Sequence, residues 1–205
     1  MKKYILFDFD GVIVDSFDFS FRIQNKNRAR ISQDQYRKLF DGNIYDSVTK
    51  QPNDILSDSG VKDFFSKYEP ELKRISCVPG MPEVIKDLSK DYEMIVVSST
   101  LGNIIKDFLS QHNLQNYFAA IMGPEIESNK SKKIQMIFKD FNLTAHDCIF
   151  VTDTLGDIKE ARVASVDSIA VAWGYHSLAT LELGNPLAIA DKPVDLPALI
   201  RIFLS

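Results

Sequence analysis

The chain has 205 residues, 45% of them apolar, and a formal net charge of −4 at pH 7. That length supports one substantial core with room for a smaller appended unit, and the mild acidity gives no basis for nucleic-acid or membrane binding. No apolar run approaches a membrane span, the N-terminus lacks a signal-peptide pattern, and Cys77 and Cys148 have no metal-site spacing, so buried free thiols in a cytoplasmic protein are expected.

The first element is a short apolar run, Tyr4 to Phe7. It suits a central parallel strand, which is covered on both faces and need not alternate. It ends in Asp8-Phe9-Asp10-Gly11, whose glycine permits a sharp turn. From about 17 to 77 no buried strand is evident. Ser32-Gln33-Asp34-Gln35 has the form of a capping box before Tyr36, Leu39 and Phe40, and Gly42 is placed to end that helix. Val61, Phe64, Phe65 and Tyr68 carry a second helical stripe. An insertion of this length exceeds an ordinary connection, so a small helical unit is expected, with its aromatic residues as its own core. Beyond Pro79-Gly80, strands and helices alternate. Pro82 opens a helix through Leu88, and Met94 to Val97 is a strand ending at Ser98-Ser99-Thr100. Ile104, Ile105, Phe108 and Leu109 mark a helix, and Ala119 to Met122 a short strand. Ile134, Ile137, Phe138 and Phe141 mark the next helix, and Cys148 to Thr152 a strand ending at Asp153. Ile158, Ala161 and Ala164 mark another helix, Ser168 to Ala172 another strand, and the last helix runs near Pro197 to Phe203. This alternation predicts a doubly wound, Rossmann-like parallel sheet with helices on both faces. The expected division is an α/β core of residues 1–16 and 78–205, with a small α-helical cap of residues 17–77 inserted after the first strand.

The polar residues fall in one place. Asp8, Asp10, Ser98 and Asp153 all stand at C-terminal ends of expected strands, the edge where open α/β sheets bind ligands. A lone Asp-x-Asp is commonly a solvated turn, but here three separated strands contribute. Period two directs Asp8 and Asp10 the same way, and facing carboxylates need a cation or a shared proton. Oxygen donors without soft ligands suit Mg2+. Asp153 and Asp157 add two acids before a helix, where one of them could serve as an N-cap. Ser98, Ser99 and Thr100 precede a helix start that favours an anion, with N-capping as the plain alternative. Lys130 begins a helix against the dipole, which an anion held there would explain; Lys132 and Lys133 read as solvated surface charge. Together these residues describe a phosphoryl-transfer site in which a carboxylate can act as nucleophile.

Asp8-Phe9-Asp10-Gly11-Val12, Ser98 after a buried strand, Lys130 at a helix start, and Asp153 with Asp157 resemble the four motifs of haloacid dehalogenase-like hydrolases. The helical insertion resembles the small cap of phosphoglycolate phosphatase-like members. The resemblance implies an Mg2+-dependent phosphatase acting on a small phosphorylated metabolite through an aspartyl-phosphate. It assigns Asp8 as nucleophile and Asp10 as general acid and base. Ser98 and Lys130, with Ser99 beside them, would bind the phosphoryl oxygens. Asp8, Asp10 by its backbone carbonyl, and Asp153 would bind Mg2+, and Asp157 would orient the metal site or Lys130. Two departures from the family pattern stand out. Ser131 follows Lys130 where many relatives have proline, which keeps Lys132 as a substitute. Val12 replaces a common threonine and also occurs in sugar-phosphate mutases, which leaves a mutase as the alternative outcome. A receiver-like signalling domain also gathers acids, a hydroxyl and a lysine at one sheet edge, but it has no helical insertion after its first strand. Gly42-Asn43 reads as a helix-stop turn, with a cap loop reaching toward the substrate as the alternative, and His176 as either a surface residue or one near the pocket. No residue pattern fixes an oligomeric state.

Overall fold

The computed structural model describes residues 3–27, 30–49 and 58–204. Strand β1 (Tyr4–Phe7) leads into four helices, α1 (Phe17–Asn27), α2 (Gln33–Lys38), α3 (Ile44–Thr49) and α4 (Asp58–Leu72). Helix α5 (Met81–Leu88), β2 (Glu93–Val97), α6 (Gly102–Gln111), β3 (Phe118–Met122) and α7 (Lys130–Phe141) follow. The chain then runs through β4 (Cys148–Thr152), α8 (Leu155–Val163), β5 (Asp167–Val171), α9 (Leu178–Glu182), β6 (Ala188–Ala190) and α10 (Leu196–Phe203).

The six strands form one sheet in the order β3-β2-β1-β4-β5-β6, and every pairing is parallel. Strand β1 is central because Ile5, Leu6 and Phe7 are apolar on both faces and wholly buried. Period two sends its residues to opposite sides. Ile5 and Phe7 join Val96, Ile149 and the helix residues Ile85, Ile105 and Ile200 in one apolar cluster. Leu6 joins Ile95, Phe150, Ile134 and Ala161 in the other. The sheet is therefore covered on both faces, as the alternation predicts. The order reverses between β1 and β4, which opens a crevice at their C-terminal ends.

The sequence reading missed four elements. Helix α3 and strand β6 span only six and three residues, too short to show a period. Helix α1 carries phenylalanines at alternating positions 17, 19 and 21, which masks a 3.6-residue repeat. Helix α9 has only five residues. The Ser32–Gln35 capping box forms as expected. Helix α2 nonetheless ends at Lys38 rather than Gly42, because the Leu39 N–H turns back to the Tyr36 carbonyl. Cys77 and Cys148 are both buried and free.

The chain leaves the sheet after Val14 and returns at Cys77, and these two residues form an antiparallel bridge. The Val78 N–H donates to the Ile13 carbonyl at 2.9 Å beside it. The aromatic residues between these points divide between a small cluster of the segment's own, with Phe17, Phe21, Tyr36, Leu39 and Phe40, and the large cluster against the sheet. Phe65 and Tyr68 join the large cluster on one face of the sheet. Tyr36, with Phe40 against it, packs on Tyr175, which follows β5. The segment's own cluster is small and is completed by Tyr175, while its α4 rings bury themselves against the α/β layer.

Candidate active site

Asp8 and Asp10 follow β1, Ser98 follows β2 and Asp153 follows β4. Because these three strands are neighbours in register, their ends meet. Asp8, Asp10, Ser98, Ser99, Lys130, Asp153 and Asp157 all line one cavity of about 150 Å³. The structure thus brings together every site residue expected from the sequence.

Lys130 is the hub. Its Nζ lies 2.9 Å from Asp8 Oδ2 and 2.6 Å from Asp157 Oδ2, and its side chain is buried. Burial opposes its charge, but Asp157 and Asp8 raise its pKa far above the usual lysine range. Asp157 also accepts from the Thr152 hydroxyl at 2.8 Å. Burial would raise the Asp157 pKa, and Lys130 overcomes it, so this carboxyl sits below its ordinary value. Asp8 is driven the other way. Burial raises it, Lys130 counters, and the neighbouring Asp157 and Asp153 raise it further. Lys132 is largely exposed, which excludes it as the substitute for Lys130. Lys133, however, is not surface charge. It is wholly buried and its Nζ donates to the Ser98 carbonyl. It lies three residues from Lys130, on the same face of α7. Burial, aided by Lys130, pulls its pKa down to about 8.

Asp153 is held from one side only. Its Oδ2 accepts the Tyr175 N–H at 2.7 Å. Its Oδ1 is buried and has no partner among the described residues. Gly11, at φ +72°, presses on this carboxylate so closely that a Cβ would lie 1.9 Å from Oδ2. Only glycine fits there, on both conformational and steric grounds. Burial lifts the Asp153 pKa to about 8 despite the Tyr175 bond, and Asp157 and Asp10 contribute.

The Asp10 carboxylate is bound entirely by hydroxyls. Oδ1 accepts from Ser16 at 2.6 Å and from Tyr68, while Oδ2 accepts from Thr100 at 2.7 Å. Tyr175 bonds Ser16 in turn, at 3.0 Å. Tyr68 and Tyr175 are buried phenols whose pKa values are pushed well up by burial and by Asp10, so both stay neutral donors.

The helix ends differ from expectation. Ser98, Ser99 and Thr100 do not cap α6; the Gly102 N–H is taken by the Glu125 carboxylate at 3.2 Å. Ser98 Oγ instead accepts the Thr100 N–H at 3.0 Å, tightening the loop. At α7, Asn129 caps Lys132 and Glu160 accepts the Lys130 N–H at 3.0 Å. Thr154, rather than either aspartate, caps α8.

Asn43 also departs from a plain helix stop. Its Nδ2 donates to Glu160 Oε1 at 2.9 Å, and its Oδ1 accepts the Tyr45 N–H at 2.9 Å. Beside it the Gly156 N–H donates to the Phe40 carbonyl at 2.9 Å. A Cβ on Gly156 would lie 2.3 Å from the Gly42 carbonyl oxygen, so the helical segment sits directly on α8. His176 is buried rather than on the surface. Its Nδ1 accepts the Leu155 N–H at 3.0 Å and its Nε2 lies 2.9 Å from the Arg37 carbonyl, joining the α/β layer to α2.

Ser16, Tyr68, Lys133, Glu160 and Tyr175 are the site residues that sequence reasoning missed; Thr100 was placed at the site, but not its bond to Asp10. Two carried a usable signal. Lys133 follows Lys130 by three residues and Glu160 follows Asp157 by three, so each pair shares a helix face.

An implied Mg2+ can be tested on these atoms. Four carboxylates, from Asp8, Asp10, Asp153 and Asp157, share a cavity in which Lys130 is the one lysine among the described lining residues. The unpartnered Asp153 Oδ1 and the raised Asp8 carboxyl both call for a further positive charge. All available donors are oxygens, the set that suits a hard cation. Among the described residues no three acidic, histidine or cysteine side chains already form a cage. The Asp10 carboxylate is engaged by hydroxyls, which leaves its backbone carbonyl as the donor the resemblance implies. The residues fit the ion.

Comparison with known proteins agrees with this geometry. A model of the haloacid dehalogenase-like hydrolase family matches residues 5–171. A phosphoglycolate phosphatase of Aquifex aeolicus is 25% identical over 186 residues, covering 86% of this chain and 87% of that protein. One from Vibrio parahaemolyticus is 22% identical over 223 residues, covering 98% and 96%. Among solved structures, a haloacid dehalogenase-like family hydrolase from Streptococcus pneumoniae superposes with a TM-score of 0.80 at 22% identity, covering 97% of this chain and 98% of that chain. CbbY from Rhodobacter sphaeroides, solved in complex with phosphate, gives 0.78 at 16% identity over 96% of each. At these identities the structural likeness speaks for the fold, and the family match spans most of the chain. The chain is an enzyme of the haloacid dehalogenase-like hydrolase family.

Proposed function

We propose that the enzyme is an Mg2+-dependent phosphatase that hydrolyses a small phosphorylated metabolite through an aspartyl-phosphate on Asp8. The observation that carries this reading is the Asp8–Lys130–Asp157 chain beside the unpartnered Asp153 Oδ1. The names of its relatives support it, since both sequence relatives cited are phosphoglycolate phosphatases.

Asp8, Asp153 and the backbone carbonyl of Asp10 hold the ion, which when bound neutralises charge on the phosphoryl group and on the acids around it. Lys130 and the Ser98 hydroxyl take the phosphoryl oxygens. An oxygen of Asp8 attacks phosphorus as the P–O bond to the alcohol breaks. Asp10 gives the leaving oxygen its proton and then removes one from the water that attacks the aspartyl-phosphate, restoring Asp8. The three hydroxyls around Asp10 aim its carboxyl for this exchange. Asp157 holds Lys130 in place. Residues 17–77 act as a cap over the sheet edge, excluding water during the first step.

The test is phosphate release from a panel of phosphorylated metabolites. Activity is expected with Mg2+, lost on chelation and restored by adding the ion back. Release that is indifferent to chelation would overturn the metal assignment. Product analysis on the same samples separates hydrolysis from transfer to a second hydroxyl, the outcome expected of a mutase.

A further inference from the structure

The cavity wall that faces the sheet edge is supplied by the helical segment, and its chemistry points to the leaving group. Tyr36, Phe40 and Tyr45 come from the α2–α3 region, and Val61, Phe64 and Phe65 from α4. Their polar atoms near the site are already engaged: the Tyr45 hydroxyl donates to the Ser99 carbonyl at 3.1 Å, and Tyr68 donates to Asp10. Among the described lining residues the segment contributes no lysine, arginine or histidine, and Lys130 is held by two carboxylates. The Glu160 carboxylate also lines the cavity. Among the described lining residues the one cationic side chain, Lys130, is already paired with Asp8 and Asp157, so a second negative charge on the substrate would be set against rings and acids without a free side-chain cation, which is unfavourable. An uncharged ring would meet several aromatic faces and edges, the contacts such side chains make best.

We infer that the substrate is a phosphomonoester whose alcohol portion is uncharged and carries an aromatic ring. The inference rests on the phosphatase reading and narrows it. It separates this chain from the substrate in its relatives' names, because phosphoglycolate carries a carboxylate next to its phosphoester.

The experiment compares wild-type phosphate release, with Mg2+, from benzyl phosphate, 2-phosphoglycolate and ribose 5-phosphate. Benzyl phosphate, an unactivated alkyl ester, avoids the bias of a good leaving group. Its kcat/KM is expected to exceed that of 2-phosphoglycolate by about ten-fold or more, the scale of discrimination a lined pocket gives. Phe64→Ala is expected to reduce kcat/KM for benzyl phosphate several-fold more than for ribose 5-phosphate. Val61→Lys, which places a cation in the wall, is expected to raise kcat/KM for 2-phosphoglycolate relative to benzyl phosphate. Equal or better use of 2-phosphoglycolate by the wild type overturns the substrate class and leaves the phosphatase reading standing. Release from ribose 5-phosphate without release from benzyl phosphate does the same. No release from any of the three esters, with or without Mg2+, overturns both.

Discussion

The two walls of the cavity are built on opposite plans. The sheet edge presents Asp8, Asp10, Asp153, Asp157 and Lys130, charged groups clamped by one another and by the backbone. The helical segment presents neutral rings on α2, α3 and α4. It is tied to the sheet edge by a few polar contacts, Asn43 to Glu160, Tyr45 to Ser99, and Arg37 to His176 and Tyr175. Tyr68 belongs to the helical segment and binds Asp10 directly. Under the proposed function bond-making belongs to the charged wall, and under the inferred substrate class choice of substrate belongs to the neutral one. Substitutions on the first should damage turnover with any ester, and substitutions on the second should redistribute preference.

The largest expected effect is at Asp8. Asp8→Asn should lower kcat by at least about 10⁴-fold, because an amide cannot serve as the nucleophile. The thermal transition should remain single, since Lys130 keeps Asp157 as a partner. Residual turnover within ten-fold of wild type would remove Asp8 from its role.

Asp10→Asn should lower kcat by about 10²- to 10⁴-fold, the usual worth of a general acid–base group. The concentration of Mg2+ for half-maximal activity should shift only a few-fold, because the carboxylate faces Ser16, Tyr68 and Thr100. A collapse of Mg2+ affinity with modest change in turnover would contradict the division between these two aspartates.

Lys133→Met probes the support beneath the phosphate loop. Loss of its bond to the Ser98 carbonyl should lower kcat/KM by roughly ten-fold, since positioning of Ser98 suffers while Asp8 remains. The position also carries a pH signature. Its folded pKa of about 8 lies below the ordinary lysine value of 10.5. Between those values the unfolded chain holds a proton that the folded chain lacks, so stability rises with pH. The slope is at most about 1.4 kcal/mol per pH unit. Denaturation from pH 8 to 10.5 should show that slope weakened in Lys133→Met. An unchanged slope would mean that the buried amine titrates normally.

The smallest effect is expected at Asn43→Ala. It removes the contact to Glu160 and the cap on α3, a loss of about 1 kcal/mol. KM should rise several-fold with kcat nearly kept, because the change loosens the neutral wall and leaves the charged one intact. A fall in kcat matching that of Lys133→Met would erase the distinction between the walls.

Most of the charged wall was legible in the sequence because Asp8, Asp10 and Asp153 stand just past strand ends, and strand ends follow from apolar runs; Asp157 lies in the first turn of α8. Asp8, Ser98 and Asp153 were found this way, and Lys130 by its odd place in a first helical turn. The supports were not legible, because their partners are far apart in the chain. Tyr68 meets Asp10 across 58 residues and Thr100 meets it across 90. Tyr68 also sits in a helical apolar stripe, where a phenol and a core ring look alike. His176 gave no sign of burial, because its partners Leu155 and Arg37 offer it backbone groups, which every residue has. Lys133 was hidden among three lysines in four positions, and only its helix face distinguishes it from Lys132. The expectation of a core within the segment holds for the rings around Tyr36 but not for those of α4, which pack against the sheet, because periodicity shows which residues are buried and not what they are buried against.

The stereochemistry at phosphorus bears most directly on the central claim. A phosphorothioate ester made chiral with 16O and 18O at phosphorus should yield, in 17O-labelled water, chiral inorganic thiophosphate whose configuration is retained, because attack by Asp8 and then by water inverts it twice. Net inversion would mean that water reaches the substrate phosphorus in one step, and that the carboxylate of Asp8 never carries the phosphoryl group.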